Sequence, residues 1–380
     1  MRLFKYCTLS FFALTFCSVL SSLQAQGDRV RFETYDGVEI HGRFYGSNKG
    51  RKAPAVICLH QFGGKKTDGG WDGLAQALQK AGCSVLTFDF RGHGDSTSVD
   101  AEKFLQFIPH RKGIRGGARM PKVISHKDFA SSYVPYLIND IIAAKTFLEK
   151  KNDANECNAS NIIVIGAEEG ATLGMAWVAS ETLRYKYANQ FKLEQKPQSE
   201  DIVGAVWITP RARMKPRGAS VLGPMVRWLK ATGITHRIPM LFVYGEKDEA
   251  ANKGALKLVR YIRPNYKRGK KFADKNNLTE TGDYGVSDVK NLAGAKLLDA
   301  DLPARKFIVE TYFDKNLRTK HAINAWEERK TDNFPYHWTS NPKILPRLPN
   351  AKNPNEKHIW YMPLRMIGLS QLHSLANGKR

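Results

Sequence analysis

Residues 164–174 read Val164-Ile165-Gly166-Ala167-Glu168-Glu169-Gly170-Ala171-Thr172-Leu173-Gly174. Upstream, Asn161 to Ile165 is a short β-branched and almost wholly apolar run, the pattern of a strand buried on both faces. Downstream, Ala171 to Ala179 has helix-forming composition. Strand, tight glycine turn and helix follow one another within a few residues. Gly166 and Gly170 flank the turn, where small residues let a helix pass close to the strand it leaves. By itself this spacing also suits an ordinary strand-to-helix turn, so the rest of the chain has to decide its meaning.

Working outward, Tyr35-Asp36-Gly37 is a turn between two alternating segments, Arg29 to Thr34 and Glu39 to Tyr45, which predicts an N-terminal hairpin. Pro54 to Leu59 reads as a buried strand and Trp71 to Lys80 as an amphipathic helix closed by Gly82. Cys83 to Phe90 reads as the next strand and Tyr136 to Lys150 as a long helix. Beyond the glycine turn come strands at Ile202 to Ile208 and Pro239 to Tyr244 and a helix at Ala251 to Ile262. A polar strand is expected somewhere in Asn276 to Val289, and a final helix at Pro303 to Leu317. Strands alternating with helices predict an α/β fold: a mostly parallel central sheet with helices on both faces.

Four segments in this order carry a family pattern: Leu59-His60-Gln61-Phe62-Gly63-Gly64, Phe88 to Ser96, Val164 to Gly174, and Val243-Tyr244-Gly245-Glu246-Lys247-Asp248. With them, residues 29 to 316 resemble the α/β-hydrolases, in particular the dienelactone hydrolase and serine-aminopeptidase-like branch. The resemblance implies a G-x-S-x-G nucleophile elbow at 166–170, and here the middle residue is Glu168 instead of serine. It implies an acid at Asp248, whose alternative reading is the N-terminal aspartate of the following helix. It implies oxyanion-hole backbone donors at Glu169 and at Gln61 or Phe62. It also implies a histidine in the loop before the final helix, where Ala293 stands. No histidine lies between His236 and His321, which leaves His321, past the final helix, as the substitute. His60 and His93 fall where the family uses histidines to hold loop geometry. Loops 97–135 and 209–235 are long and stand where relatives build lids.

A carboxylate nucleophile is known on this fold, but it is an aspartate. The extra methylene of glutamate displaces the attacking oxygen by more than an ångström, and an error of about 1 Å costs on the order of a hundredfold. Glu168 therefore reads as a plug whose carboxylate turns toward the oxyanion donors, with a lysine or arginine as partner. Two functions follow from the residues. One is a secreted, catalytically degenerate binding or structural protein. The other is a working hydrolase of carboxylic esters or related bonds built from Glu168, Asp248 and His321. No zinc-ligand spacing occurs, and neither metal nor cofactor is expected.

Arg2 and Lys5 precede an apolar run from Phe11 to Leu20, and Leu23-Gln24-Ala25 offers a cleavage site, the pattern of a secretory signal over residues 1–25. The run is too short for a membrane anchor. Of five cysteines, Cys58, Cys83 and Cys157 follow the signal, too few for a disulfide framework. Residues 26–320 make the hydrolase-like domain. From 321 to 380 the chain holds six of its seventeen prolines among aromatics, asparagines and lysines, which predicts an extended arm with a short helix around Met362 to Leu375. The formal charge of +23 suggests acidic partners such as an anionic polymer or a cell-envelope surface. Basic residues cluster at Arg111 to Lys122, Arg211 to Arg217 and Tyr266 to Lys271, without a nucleic-acid-binding motif.

Overall fold

The computed structural model describes residues 27–119, 121–190, 198–211, 229, 234–264, 266, 281–318, 324–329, 336–339 and 360–363. The expected signal segment 1–25 and His321 lie outside these residues, as do most of loop 209–235 and most of the two basic clusters that follow Arg211 and Tyr266.

Eight strands form the central sheet: β1 (Asp28–Glu33), β2 (Glu39–Tyr45), β3 (Pro54–Leu59), β4 (Ser84–Phe88), β5 (Asn158–Ala167), β6 (Ile202–Ile208), β7 (Met240–Gly245) and β8 (Gly282–Val286). Their order is β1-β2-β4-β3-β5-β6-β7-β8. The β1–β2 hairpin runs antiparallel onto β4, and every pairing from β4 to β8 is parallel. Residues of β3, β5, β6 and β7 are buried along their whole length, as central parallel strands with covered faces must be.

Successive residues of a strand serve opposite faces, so the sheet divides the core in two. Ala55, Ile57 and Leu59 join the cluster that holds Ile138 and Ile141 of α4 (Ile138–Asp153) and Trp177 of α5 (Glu169–Gln190). Val56 and Cys58 join the other, with Trp71, Leu74 and Leu78 of α1 (Trp71–Lys80) and Ile308 and Tyr312 of the final helix. That helix is α7 (Pro303–Lys306), continued as a π-helical stretch over Phe307–Leu317. Between β4 and α4 lie two short helices, α2 (Ala101–Gln106) and α3 (Ile108–Gly113), and between β7 and β8 lies α6 (Glu249–Ile262).

Sequence and structure differ where periodicity is weak. The expected polar strand is β8, an edge strand with a half-buried middle, which has no need of an apolar face on both sides. Helix α4 is preceded by a 3₁₀ turn, Val134–Leu137, with Pro135 near its start, and this turn absorbs the residues expected at the helix start. The C-terminal segment is not purely irregular: Tyr336–Thr339 and Trp360–Pro363 pair in parallel as β9 and β10. Met362 thus lies in a strand, not at the start of a helix, in keeping with the β preference of Trp360 and Tyr361 beside it. The remainder of that expected helix lies outside the described residues. Cys58, Cys83 and Cys157 are buried free thiols.

Two polar assemblies brace the sheet. Arg91, wholly buried after β4, donates from Nη1 and Nη2 to the Asp36 carboxylate at 2.7 and 3.0 Å, and from Nε to Asp140 Oδ1 at 2.6 Å. Residues 324–329 run as a strap across the N-terminal end of β5. Asn324 donates its N–H to Asn161 Oδ1 at 2.7 Å and its side-chain amide to Ser160 O at 2.7 Å. The Arg51 guanidinium lies 4.0 Å over the Trp326 ring.

Candidate functional site

Strand β5 ends at Ala167 and α5 begins at Glu169, which leaves Glu168 alone at the apex of the turn. Its φ of 50° is left-handed, a conformation that costs a non-glycine residue about 1–2 kcal/mol. Such strain persists only where surroundings over-determine it. Here the Glu168 N–H donates to Ile208 O at 2.9 Å, and the Glu168 carbonyl accepts from Thr172 N–H at 3.3 Å. Both flanking glycines are obligatory. A Cβ on Gly166 would stand 2.7 Å from Ala171 Cα, and one on Gly170 would stand 2.3 Å from His60 O.

The Glu168 carboxylate, almost fully buried, accepts from Arg211 Nε at 2.7 Å. Its other oxygen lies against Gly294, where an added Cβ would approach Oε1 to 2.8 Å. Gly294 is held there by its N–H, which donates to Thr209 Oγ1 at 2.6 Å, and both Thr209 and Gly294 have positive φ. Burial alone would lower the proton affinity of Arg211. The hydrogen bond and charge of Glu168, followed by the charges of Glu169 and Asp248, outweigh it and raise the net value.

The acid and oxyanion positions fall around this pair. Asp248 caps α6, its carboxylate accepting from Ala251 N–H at 3.1 Å, so its alternative reading as a helix N-terminal aspartate describes a real contact. Glu169 is buried, and its Oε2 accepts from Phe62 N–H at 3.3 Å. The sequence led us to expect Glu168 to turn toward the oxyanion donors. Glu169 occupies Phe62 instead, because Glu168 finds a charge-assisted partner in Arg211, an arginine as expected. Gln61 contributes its carbonyl, which accepts from His60 Nδ1–H at 2.7 Å. Ala293, the position implied for the histidine, adjoins Gly294 and therefore stands beside the elbow.

The rim holds imidazoles that serve geometry. His60 donates through Nδ1 and accepts the Phe90 N–H at Nε2, 3.0 Å away, which fixes the neutral tautomer; burial brings its pKa down to about 4. His93 donates from Nδ1 to Arg91 O at 2.9 Å and stacks on His126 with ring centroids 4.3 Å apart. Burial, then the neighbouring His60, bring it down to about 3. His126 belongs to the long loop after β4 and had no signal in the sequence, since its place depends on a fold-back of that loop onto Gly92. Arg211 was one of several arginines in a basic run, and nothing local marked it as the residue that meets Glu168. Among the described residues no cluster of histidines, cysteines and carboxylates could hold a metal ion.

A family model described as "alpha/beta hydrolase fold" matches residues 54–131, from β3 into the loop before α4. Uncharacterized proteins from two strains of Mycobacterium tuberculosis are 34% identical over 85 residues, 22% of this chain and 30% of theirs, so the match spans under a third of those relatives. Among solved structures, a dienelactone hydrolase from Anabaena variabilis superposes with a TM-score of 0.44 at 12% identity, covering 75% of this chain and 94% of that one. An esterase from Pyrococcus furiosus superposes with a TM-score of 0.39 at 16% identity, covering 72% and 84%. The classification rests on the matched segment together with the strand order and the left-handed elbow, not on these distant superpositions. By these features the chain has the α/β-hydrolase fold.

Proposed function

We propose that this protein is an exported α/β-hydrolase-fold protein that has given up ester chemistry and acts by binding. One observation carries the reading: the elbow apex presents a carboxylate ion-paired with Arg211 where the family presents a hydroxyl. A carboxylate neutralised by a guanidinium is a poor nucleophile. The ester it would form needs a histidine-activated water to be cleaved, and Glu168 has no imidazole among its hydrogen-bond partners in the described residues. The Phe62 N–H, a donor needed for a developing oxyanion, already serves Glu169.

The reading is tested with p-nitrophenyl acetate and a fluorophosphonate probe. We expect no turnover above that of the Glu168→Ala variant and no labelling. A kcat that disappears in Glu168→Ala would establish the second reading, an esterase that uses Glu168, Asp248 and His321. That second reading draws its support from the retained strain at residue 168. Export is part of the proposal on the pattern of residues 1–25, and Gln26 is the expected first residue of the mature protein, to be read by N-terminal sequencing.

A further inference from the structure

The β1–β2 hairpin carries a charge pattern that folding opposes. On one face Arg29 stands directly opposite Arg43, and like charges facing each other across a strand pair repel; Arg31 stands opposite His41 on the same face. The other face packs Val30, Phe32, Ile40 and Phe44 against the core, so the register cannot slip to relieve the repulsion.

This cationic face is one wall of a groove of about 700 Å³. The opposite wall is Lys65, Lys66 and Thr67 from the loop after β3, with Asp89, Asp95 and Thr97 from the loop after β4. Both carboxylates are already engaged: Lys66 Nζ donates to Asp89 Oδ2 at 2.6 Å and to Asp95 Oδ2 at 2.7 Å. Arg43 donates to Asp72 at 2.8 Å, and His41 lies 2.7 Å from Glu39. Arg29, Arg31 and Lys65 have no carboxylate at ion-pair distance among the described residues, and all three are exposed. Asp95 reports the resulting field: Lys66 first, then His41 and Arg29, hold its carboxyl below the usual range.

We propose that this groove binds a multivalent oxyanion, a ligand that presents two or more phosphate or sulfate groups. The two cationic rungs are two residues apart, about 6.8 Å along the strands, so one anionic group sits at each rung. Guanidinium forks match phosphate and sulfate oxygens pairwise, and Lys65 closes on the ligand from the facing wall. The Thr67 and Thr97 hydroxyls add neutral hydrogen bonds. No phenylalanine, tyrosine or tryptophan lines the groove, so base stacking by a nucleic acid would fall to the His41 ring and the guanidinium planes alone. None of the lining residues belongs to the Glu168 site, so the inference holds whether or not the elbow turns over an ester.

The test is calorimetric titration of the mature protein in 50 mM salt with inorganic triphosphate, a trisulfated heparin disaccharide and oligothymidylate. The first two are expected to bind one to one, and the tighter of them identifies the source of the anion. Arg29→Gln with Arg31→Gln is expected to weaken binding at least tenfold, and Lys65→Gln several-fold, with Tm not lowered. Arg111→Gln with Lys112→Gln, a pair of exposed basic residues elsewhere, is the control and is expected to leave affinity unchanged. Equal losses in both double variants, tighter binding of oligothymidylate, or no saturable binding of either anion would overturn the proposal.

Discussion

Glu168 sets a carboxylate at the apex where the resemblance implies a hydroxyl. The backbone keeps the left-handed apex that exposes a nucleophile, while the side chain is spent on Arg211. If Ala293 occupies the histidine's place, Glu168→Ser with Ala293→His should show measurable hydrolysis of p-nitrophenyl acetate. Adding Glu169→Met frees the Phe62 N–H and should raise that rate by about 10² or more, the usual worth of an oxyanion donor. No gain in either folded variant would show that residue 293 is misassigned. His93 makes a second prediction. Its folded pKa of about 3 lies below the unfolded 6.5, so the stability it contributes is complete above pH 6.5 and is lost as pH falls toward 3. Asp140 and Asp201, raised to about 6 by burial, act in the opposite sense between about pH 4 and 6. The imidazole contribution is therefore read as a difference. His93→Phe, which keeps the ring stack on His126, should flatten the acid-side slope by up to about 1.4 kcal/mol per pH unit, measured by urea denaturation at pH 7 and 5. At the same scale, Asp36→Asn strips one charge from the wholly buried Arg91 and should cost about 3–5 kcal/mol in the same assay.

At the scale of elements, boundaries were legible where burial is two-sided. Pro54–Leu59, Ile202–Ile208 and Trp71–Lys80 lie where the apolar pattern placed them, because a strand covered on both faces or a helix with one apolar stripe writes its environment into its composition. Strand β8 was hard to place because an edge strand answers to one neighbour. The strap at residues 324–329 falls in the extended arm that proline density and aromatics marked from 321 onward, but no local pattern named its partners, and its hydrogen bonds reach about 160 residues back along the chain to Ser160 and Asn161. Asn324→Ala removes the side-chain amide that donates to the Ser160 and Glu200 carbonyls and leaves both short of a donor, while the backbone bonds of residue 324 to Asn161 persist. It should cost about 1–3 kcal/mol, seen as a lower urea midpoint with unchanged slope. Within the hairpin, Arg29→Gln should instead stabilise by a few tenths of a kcal/mol at low salt and by less at high salt, since it relieves a cross-strand repulsion that salt screens.

At the scale of the whole molecule, the excess of basic residues predicts retention on a sulfated matrix that weakens steeply with salt. The hairpin groove predicts more: most of that retention should vanish in the Arg29→Gln, Arg31→Gln variant, although many other basic residues remain. Elution at the same salt concentration for variant and wild type would assign retention to diffuse charge. Among the described residues no helix is long and apolar enough to cross a membrane.

Composition and periodicity determined the α/β architecture, because each strand and helix is set by neighbours within a few residues, while the elbow with its glutamate and the strand ends where a site would lie followed from the resemblance of four motifs to the α/β-hydrolases. Tertiary structure alone decided that Glu168 meets Arg211, that Glu169 takes the Phe62 N–H, and that four hairpin residues confront Lys65 across a groove. Those contacts join segments tens to more than a hundred residues apart, and no local pattern encodes which charge among many will be brought within reach of which partner.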